Sequence, residues 1–226
     1  MTSKRNRIIL VAAAILVATL SLTVVFSEIL ASNTVDSKEN GKLARIACMG
    51  DSITEICGYP EDLQTLFGNS SVVGNFGVSG ATVNLRSNQP YYYENACIQA
   101  RYFLPTTLVI LLGTNDARTD NYAKIVNFTR DYERFINRTR TGRWNSTEQT
   151  FLVVPPPIFN NNLDLNGTFF AEEVVPRIYQ AAANQSVPII DLYTPLLKHP
   201  EYFPDGVHPN CDGAALIAKI IYDALK

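Results

Sequence analysis

Ile46-Ala47-Cys48-Met49-Gly50-Asp51-Ser52-Ile53-Thr54 is a short apolar run closed by a Gly-Asp turn and followed by a hydroxyl. An apolar run of this length, bounded by a turn signal, suits a buried strand. The residues after it can open a helix, which puts Ser52 at the C-terminal edge of a sheet, where open α/β sheets bind their ligands. Unpaired helix N–H groups at that edge favour negative charge developing beside a nucleophile. A second reading stands beside this one: Asp51 or Ser52 caps the helix and does no chemistry. What separates the two is whether the rest of the chain supplies a base and an oxyanion site.

Downstream, residues 59–67 read as a helix, with Pro60 near its start and Gly68 just past its end. Val72-Val73-Gly74-Asn75-Phe76 is a second strand, closed by Gly77-Val78-Ser79-Gly80. Residues 95–103 can form a helix that Pro105 ends, and Leu108-Val109-Ile110-Leu111-Leu112 is the clearest strand, running into Gly113-Thr114-Asn115-Asp116. Residues 122–138 form an amphipathic helix, with Ile125, Phe128, Tyr132, Phe135 and Ile136 on one face. Phe151-Leu152-Val153-Val154 is a fourth strand ended by three prolines, and an Asn-rich loop runs on to Gly167. A helix over 171–183 has Pro176 in its first turn or kinked by it. Residues 187–191 make the fifth strand, and 213–225 a closing helix with Ala214, Ile217, Ile220 and Ile221 inward. Short apolar strands alternating with helices predict a parallel α/β sheet covered on both faces. Right-handed crossovers then bring Ser52, Gly80 and Asn115 to one edge.

Upstream of the opening strand, Lys4, Arg5 and Arg7 precede an uncharged run over residues 8–26. At about 1.5 Å per residue that run spans about 29 Å, close to a bilayer core. Residues 1–7 are expected to be a cytoplasmic basic flank and 8–26 a transmembrane signal-anchor, with a cleaved signal peptide as the alternative. Residues 27–43 read as a polar tether, and 44–226 as one domain outside the cytoplasm. Sequons at Asn69, Asn127, Asn137, Asn145, Asn166 and Asn184 agree with export and are candidate glycosylation sites. Of the four cysteines, Cys48 lies in the first strand, and Cys57 and Cys97 are the expected disulfide, since both flank loops on one sheet edge.

The chain has 226 residues, 46% hydrophobic and 18% charged, with net charge −2, which argues against a nucleic-acid partner. Arg134, Arg138, Arg140 and Arg143 cluster, but Asp131 and Glu133 beside them mark a solvated helix end. The sequence has no metal-type Cys/His spacing and no phosphate- or dinucleotide-binding glycine pattern.

A serine nucleophile needs a base, and the only histidines are His199 and His208. His208 lies in Pro204-Asp205-Gly206-Val207-His208-Pro209, ahead of the last helix and so on the same edge as Ser52. Asp205 is three residues away, close enough for a turn to bring its carboxylate to the imidazole and fix the tautomer. His199, in Lys198-His199-Pro200, has no such spacing and reads as surface. For the oxyanion, the Gly80 loop can offer a backbone N–H at close range and Asn115 a side-chain amide. An ordinary turn glycine and a capping asparagine are the competing readings.

Four blocks in order, Gly50-Asp51-Ser52-Ile53, Asn75-Phe76-Gly77-Val78-Ser79-Gly80, Gly113-Thr114-Asn115-Asp116 and Asp205-Gly206-Val207-His208-Pro209, resemble the SGNH or GDSL-type hydrolases. The four letters S, G, N and H match Ser52, Gly80, Asn115 and His208. The resemblance implies a three-layer α/β/α, flavodoxin-like domain with a five-stranded parallel sheet. It implies a Ser52–His208–Asp205 triad and an oxyanion hole of the Ser52 and Gly80 N–H groups and the Asn115 amide, with no metal or organic cofactor. Two positions depart from the family's usual pattern: Ala81 stands where Asp is common, and Glu55 leads to Ile56-Cys57-Gly58 rather than to glycine. Both flank the acyl pocket and bear on substrate choice.

Members of that family cleave acetylated sugars, aryl esters, lysophospholipids and thioesters. Asp51, Thr114 and Tyr92 are the candidate substrate contacts, and Tyr91-Tyr92-Tyr93 offers aromatic faces for a sugar, or plain packing. The chain lacks a large apolar lid for a long acyl chain, so short acyl esters lead, with acetyl on a carbohydrate first. A membrane-associated lysophospholipase or thioesterase, and a non-catalytic carbohydrate-binding protein on the same fold, are the alternatives.

Overall fold

The computed structural model describes residues 43–226 apart from 142, 143 and 145. The basic flank, the apolar segment 8–26 and the tether up to residue 42 lie outside the described residues, as do Arg143 and Asn145. Among the described residues no helix is long and apolar enough to cross a membrane.

Five parallel strands form one sheet: β1 (Ala44–Gly50), β2 (Ser71–Gly77), β3 (Thr107–Leu111), β4 (Gln149–Val154) and β5 (Ile189–Asp191), in the order β2-β1-β3-β4-β5. That is the flavodoxin-like order, in which the chain reverses direction across the sheet beside β1. Residues of β1 alternate between the two faces. Ala47 and Met49 pack with Leu108, Ile110, Leu152 and Val154 on one side, and Ile46 and Cys48 with Val109, Leu111 and Val153 on the other. Both sets are buried, which is why the strands read as unbroken apolar runs.

The first face is covered by α3 (Asn95–Tyr102), α4 (Phe128–Thr139) and α5 (Val175–Gln185), the second by α2 (Tyr59–Phe67) and α7 (Cys211–Leu225). The short helices α1 (Ser52–Glu55) and α6 (Tyr193–Leu196) sit at strand ends. Helices α2 and α7 meet through Phe67 and Tyr222, edge to face at 4.7 Å. Register lines up the strand ends. Gly50 faces Gly77 on one side and Leu111 on the other, Leu111 faces Val153, and Val154 faces Asp191. Every loop that leaves these ends therefore emerges on one edge.

Three expectations are corrected. The helix foreseen over 122–138 is a 3₁₀ stretch, Thr119–Asn127, followed by α4. Within that stretch the Asn84 amide, from the loop after β2, donates to the Lys124 carbonyl. The inward face of Ile125, Phe128, Tyr132, Phe135 and Ile136 is nonetheless buried as expected. The helix foreseen over 171–183 begins earlier, with a turn at Gly167–Phe169 and a π turn at Phe170–Val174 before α5. Pro176 lacks an N–H and its ring crowds the carbonyl four residues back, so the wider turn ahead of it relieves the clash.

The Cys57–Cys97 disulfide is the third correction, because all four cysteines are free. Cys97 is buried on α3 in the cluster of the first face. Cys57 precedes α2, which covers the second face, and its thiol donates to the Ser52 carbonyl at 3.7 Å. Cys97 thus lies in the core of one face, and the Cys57 thiol is turned to the serine turn at the sheet edge.

Candidate active site

Gly50 lets β1 end tightly enough for Ser52 to start a helix. A Cβ on Gly50 would stand 2.0 Å from Thr54 Oγ1 and 2.6 Å from the Leu111 carbonyl. Asp51 takes the N-cap, its Oδ1 accepting the Ile53 N–H at 3.0 Å. The capping role thus falls to Asp51, and the Ser52 hydroxyl is left for another partner. That partner is His208, whose Nε2 lies 2.8 Å from Ser52 Oγ. His208 Nδ1 lies 2.6 Å from Asp205 Oδ2. A carboxylate accepts only, so Nδ1 carries the proton and Nε2 is free to accept from the serine hydroxyl.

The turn 205–208 forms because Asp205 Oδ1 accepts two backbone N–H groups, from Val207 at 2.9 Å and His208 at 2.7 Å. Gly206 supplies the positive φ of 85° that this turn requires. Partial burial pushes the Asp205 carboxyl up, but the His208 N–H, the imidazole and the Val207 N–H outweigh it and hold the group below the usual carboxylate range. Asp205 is therefore ionised where it faces the imidazole. His199 is on the surface as expected, paired with Glu201 at 2.8 Å.

The two other elements of the edge reach the same place. The Gly80 loop leaves β2 and is drawn back towards the serine turn: Val78 N–H donates to the Gly50 carbonyl at 2.9 Å, and Ser79 N–H to Glu55 Oε2 at 2.6 Å. Gly77 makes this approach possible, since a Cβ there would lie 2.2 Å from Glu55 N. Gly80 itself has φ 81°. Among the described residues neither the Ser52 nor the Gly80 N–H has an acceptor. Asn115 follows β3, is 8% exposed, and gives one amide hydrogen to the Ala81 carbonyl at 3.1 Å. Its second amide hydrogen is unclaimed among the described residues.

Sequence reading assigned no role to Asp116 and put Asp131 at a solvated helix end, whereas Asp131 is 2% exposed because its carboxylate turns inward to a backbone donor. Asp116, 1% exposed, accepts Val83 N–H at 2.9 Å and Asn84 N–H at 3.0 Å. Asp131 accepts Leu85 N–H at 3.1 Å. Together they pin the segment just after Gly80 to the turn that carries Asn115 and to α4. Burial pushes Asp116 up to about 7 against those two donors, with Asp51 adding to the rise. Asp51 is pushed to about 6, by burial above all, opposed by the Ile53 N–H, Thr114 and His208. Its Oδ2 and Thr114 Oγ1 are near neighbours electrostatically, yet neither has a hydrogen-bond partner of good geometry. The signal available in the sequence was an acid set at the end of an apolar strand, where an unpaired charge costs several kcal/mol.

Three expected substrate contacts are corrected. Asp51 is fully buried and Thr114 2% exposed, so neither reaches a ligand, and both belong to the support of the serine turn. The Tyr92 ring packs against α4, with the Arg138 guanidinium 4.1 Å from its centroid and Phe135 at 6.3 Å, while Arg138 also holds the Tyr92 carbonyl at 2.7 Å. Among the described residues no group of three or more His, Cys, Asp or Glu side chains is placed to hold a metal ion.

The chain is similar to known proteins in sequence and in fold. The GDSL-like lipase/acylhydrolase family description matches residues 48–216. An acetylxylan esterase of Xylanibacter ruminicola is 31% identical over 206 residues, covering 80% of this chain and 43% of that protein. A candidate peptidoglycan O-acetyltransferase of Bacillus subtilis is 48% identical over 186 residues, covering 80% of this chain and 24% of that protein. The chain thus spans less than half the length of these curated relatives. Among solved structures, the acetyl xylan esterase AlAXEase has a TM-score of 0.65 at 17% identity, covering 80% of this chain and 100% of that one. A lipase/acylhydrolase from Enterococcus faecalis has a TM-score of 0.63 at 23% identity, covering 81% and 95%. Both have the same fold.

Proposed function

The chain belongs to the GDSL-like lipase/acylhydrolase family, and from that premise we propose that it is a serine esterase removing short acyl groups, acetyl foremost, from saccharides. The observation that carries the reading is the unbroken chain Ser52 Oγ–His208 Nε2–His208 Nδ1–Asp205, at 2.8 and 2.6 Å. His208 takes the Ser52 proton as the oxygen attacks the ester carbonyl. The tetrahedral oxyanion is met by the Ser52 and Gly80 N–H groups and the Asn115 amide, donors fixed in place before the charge develops. His208 then gives its proton to the departing sugar oxygen, leaving an acetyl ester on Ser52. A water activated by the same imidazole releases acetate and restores the serine. Asp205 keeps the imidazole in the productive tautomer and steadies its cationic form.

The acetyl and saccharide parts of the reading are supported by the acetylxylan esterase relative. An extracytoplasmic, membrane-tethered location is supported by the basic flank and apolar run at residues 4–26 and by sequon residues Asn69, Asn137, Asn166 and Asn184, all exposed. The match to the Bacillus subtilis protein favours a second reading, in which a sugar hydroxyl rather than water takes the acetyl group from Ser52.

The test is hydrolysis of p-nitrophenyl acetate, butyrate and decanoate by the full chain and by Ser52→Ala. Acetate is expected to turn over fastest and the variant to lose nearly all activity. A decanoate preference would move the substrate to lipids, and a folded wild type inert on all three esters would remove the esterase reading. Added sugar alcohol separates the two acetyl acceptors, since only a transferase gives acetylated sugar in place of acetate.

A further inference from the structure

The segment from β4 to α5 is tied to both halves of the catalytic edge. Phe159 N–H donates to the Gly206 carbonyl at 2.8 Å, inside the turn that carries Asp205 and His208. At the other end Asn166 N–H donates to the Ala117 carbonyl at 3.1 Å and Asp164 accepts from Thr119 N–H at 3.2 Å, just past Asn115. Within the segment, the Asn161 side chain is fully spent. Its amide donates to the Phe159 and Leu165 carbonyls, both at 2.9 Å, and its oxygen accepts Leu163 N–H at 2.9 Å and Leu165 N–H at 3.4 Å. The loop is thus braced by Asn161, with Asn166 Oδ1 accepting Phe169 N–H at 3.0 Å near its end, while the side chains of Asn160, Asp164, Thr168 and Glu172 are exposed.

Those side chains line an open groove of about 730 Å³, within the range of small-molecule sites. Asn160, Asp164, Thr168 and Glu172 line it with Phe159 and Tyr193, and among the described residues none of the four polar side chains has a hydrogen-bond partner. A second hollow of about 350 Å³ shares Asn160 and Asn161 with the groove and ends at Pro204 and Asp205. The two hollows together therefore run along the loop from Pro204 and Asp205 to Tyr193.

We propose that this groove is a saccharide subsite, which holds the neutral sugar units next to the one whose ester lies at Ser52. The proposal rests on the saccharide-esterase reading and extends it from a single sugar to a chain. Planar carboxylate and amide groups accept and donate to neighbouring ring hydroxyls, and aromatic rings meet the apolar C–H face of a pyranose. The groove's lining holds two carboxylates and no Lys, Arg or His, so it disfavours uronic acids, phosphates and anionic lipid headgroups. Its predominantly polar lining also disfavours an acyl chain. The partner is a neutral, hydroxyl-rich oligomer.

The test has two arms on the full chain. In the first, Ser52→Ala is titrated with unacetylated xylohexaose by NMR, alone and with Asn160→Ala plus Glu172→Ala. Binding that the added substitutions weaken about tenfold supports the subsite. No binding, or binding indifferent to them, overturns it. In the second arm, kcat/KM is measured on acetylated methyl xyloside and acetylated xylohexaose, each divided by the value for p-nitrophenyl acetate. The hexamer is expected to exceed the monomer about tenfold, chiefly through KM, and the groove variant to bring the two together. Equal values in the wild type overturn the subsite while leaving the esterase intact. If the wild type hydrolyses no ester but still binds xylohexaose through Asn160 and Glu172, the esterase reading falls and the groove stands.

Discussion

Replacing Asp116 with asparagine tests the electrostatics behind the oxyanion edge. The carboxyl is sealed from solvent, and burial raises it from 3.8 to about 7 despite two backbone N–H donors. In the unfolded chain it titrates at its ordinary value, so between these limits the folded state binds the extra proton. Stability then falls as pH rises through that window, and the loss is complete above about 7. The distance of about three pH units, at about 1.36 kcal/mol each, amounts to about 4 kcal/mol. Asp116→Asn cannot lose a proton, so it lacks this slope. It carries instead a cost independent of pH, because its NH₂ faces one of the two N–H groups and leaves that donor unpaired, about 1–3 kcal/mol. Asp51 titrates in both proteins, so its own slope largely cancels, and only its repulsion of ionised Asp116 is removed. Urea unfolding of both proteins at about pH 5 and about pH 8 measures the effect. The stability difference, wild type minus variant, is expected to shrink by about 3 kcal/mol over that interval. Parallel behaviour within about 0.5 kcal/mol would refute the reasoning, since it would mean that the Val83 and Asn84 donors keep Asp116 ionised throughout.

Other substitutions test individual contacts. Asn115→Ala removes one oxyanion donor and is expected to lower kcat on p-nitrophenyl acetate by about 10²–10³ with KM little changed; an effect confined to KM would take Asn115 out of the oxyanion hole. Gly77→Ala puts a methyl 2.2 Å from Glu55 N, so α1 must shift. A stability loss of about 1–3 kcal/mol is expected with a larger proportional loss of activity, and a fully active variant would show that the serine turn does not depend on this approach. Tyr92→Leu should lower the urea midpoint, because the ring packs on Arg138 and Phe135. The ratio of saccharide to aryl-ester activity should stay as it is, and a fall in that ratio would return Tyr92 to the substrate.

Much of this was written in the chain. The glycine before Asp51, the apolar runs of β1 and β3, and the Asp205–His208 spacing each have a local cause, so one stretch of residues suffices to read them. Alternation of strand and helix then fixes a parallel sheet, and right-handed crossovers fix which loops share an edge. The common edge of Ser52, Gly80, Asn115 and His208 followed from that reasoning, and the aligned ends of β1, β2 and β3 bear it out.

What the chain alone left open depended on contacts between residues far apart in sequence. Whether Asp51 or Ser52 would cap α1 was undecided until His208, 156 residues away, claimed the Ser52 hydroxyl. Cys57 and Cys97 looked paired because both flank one edge, and only the tertiary structure buries Cys97 in the core of one face and turns the Cys57 thiol to the Ser52 carbonyl. Tyr92 could have served a sugar or a helix, and Arg138 on α4 decided for the helix. The support by Asp116 and Asp131 was illegible for the same reason: their backbone donors at Val83, Asn84 and Leu85 lie 32 to 46 residues upstream. Periodicity and turn chemistry are local and legible along the chain, whereas the partner of a buried polar group is set only when the layers close around it.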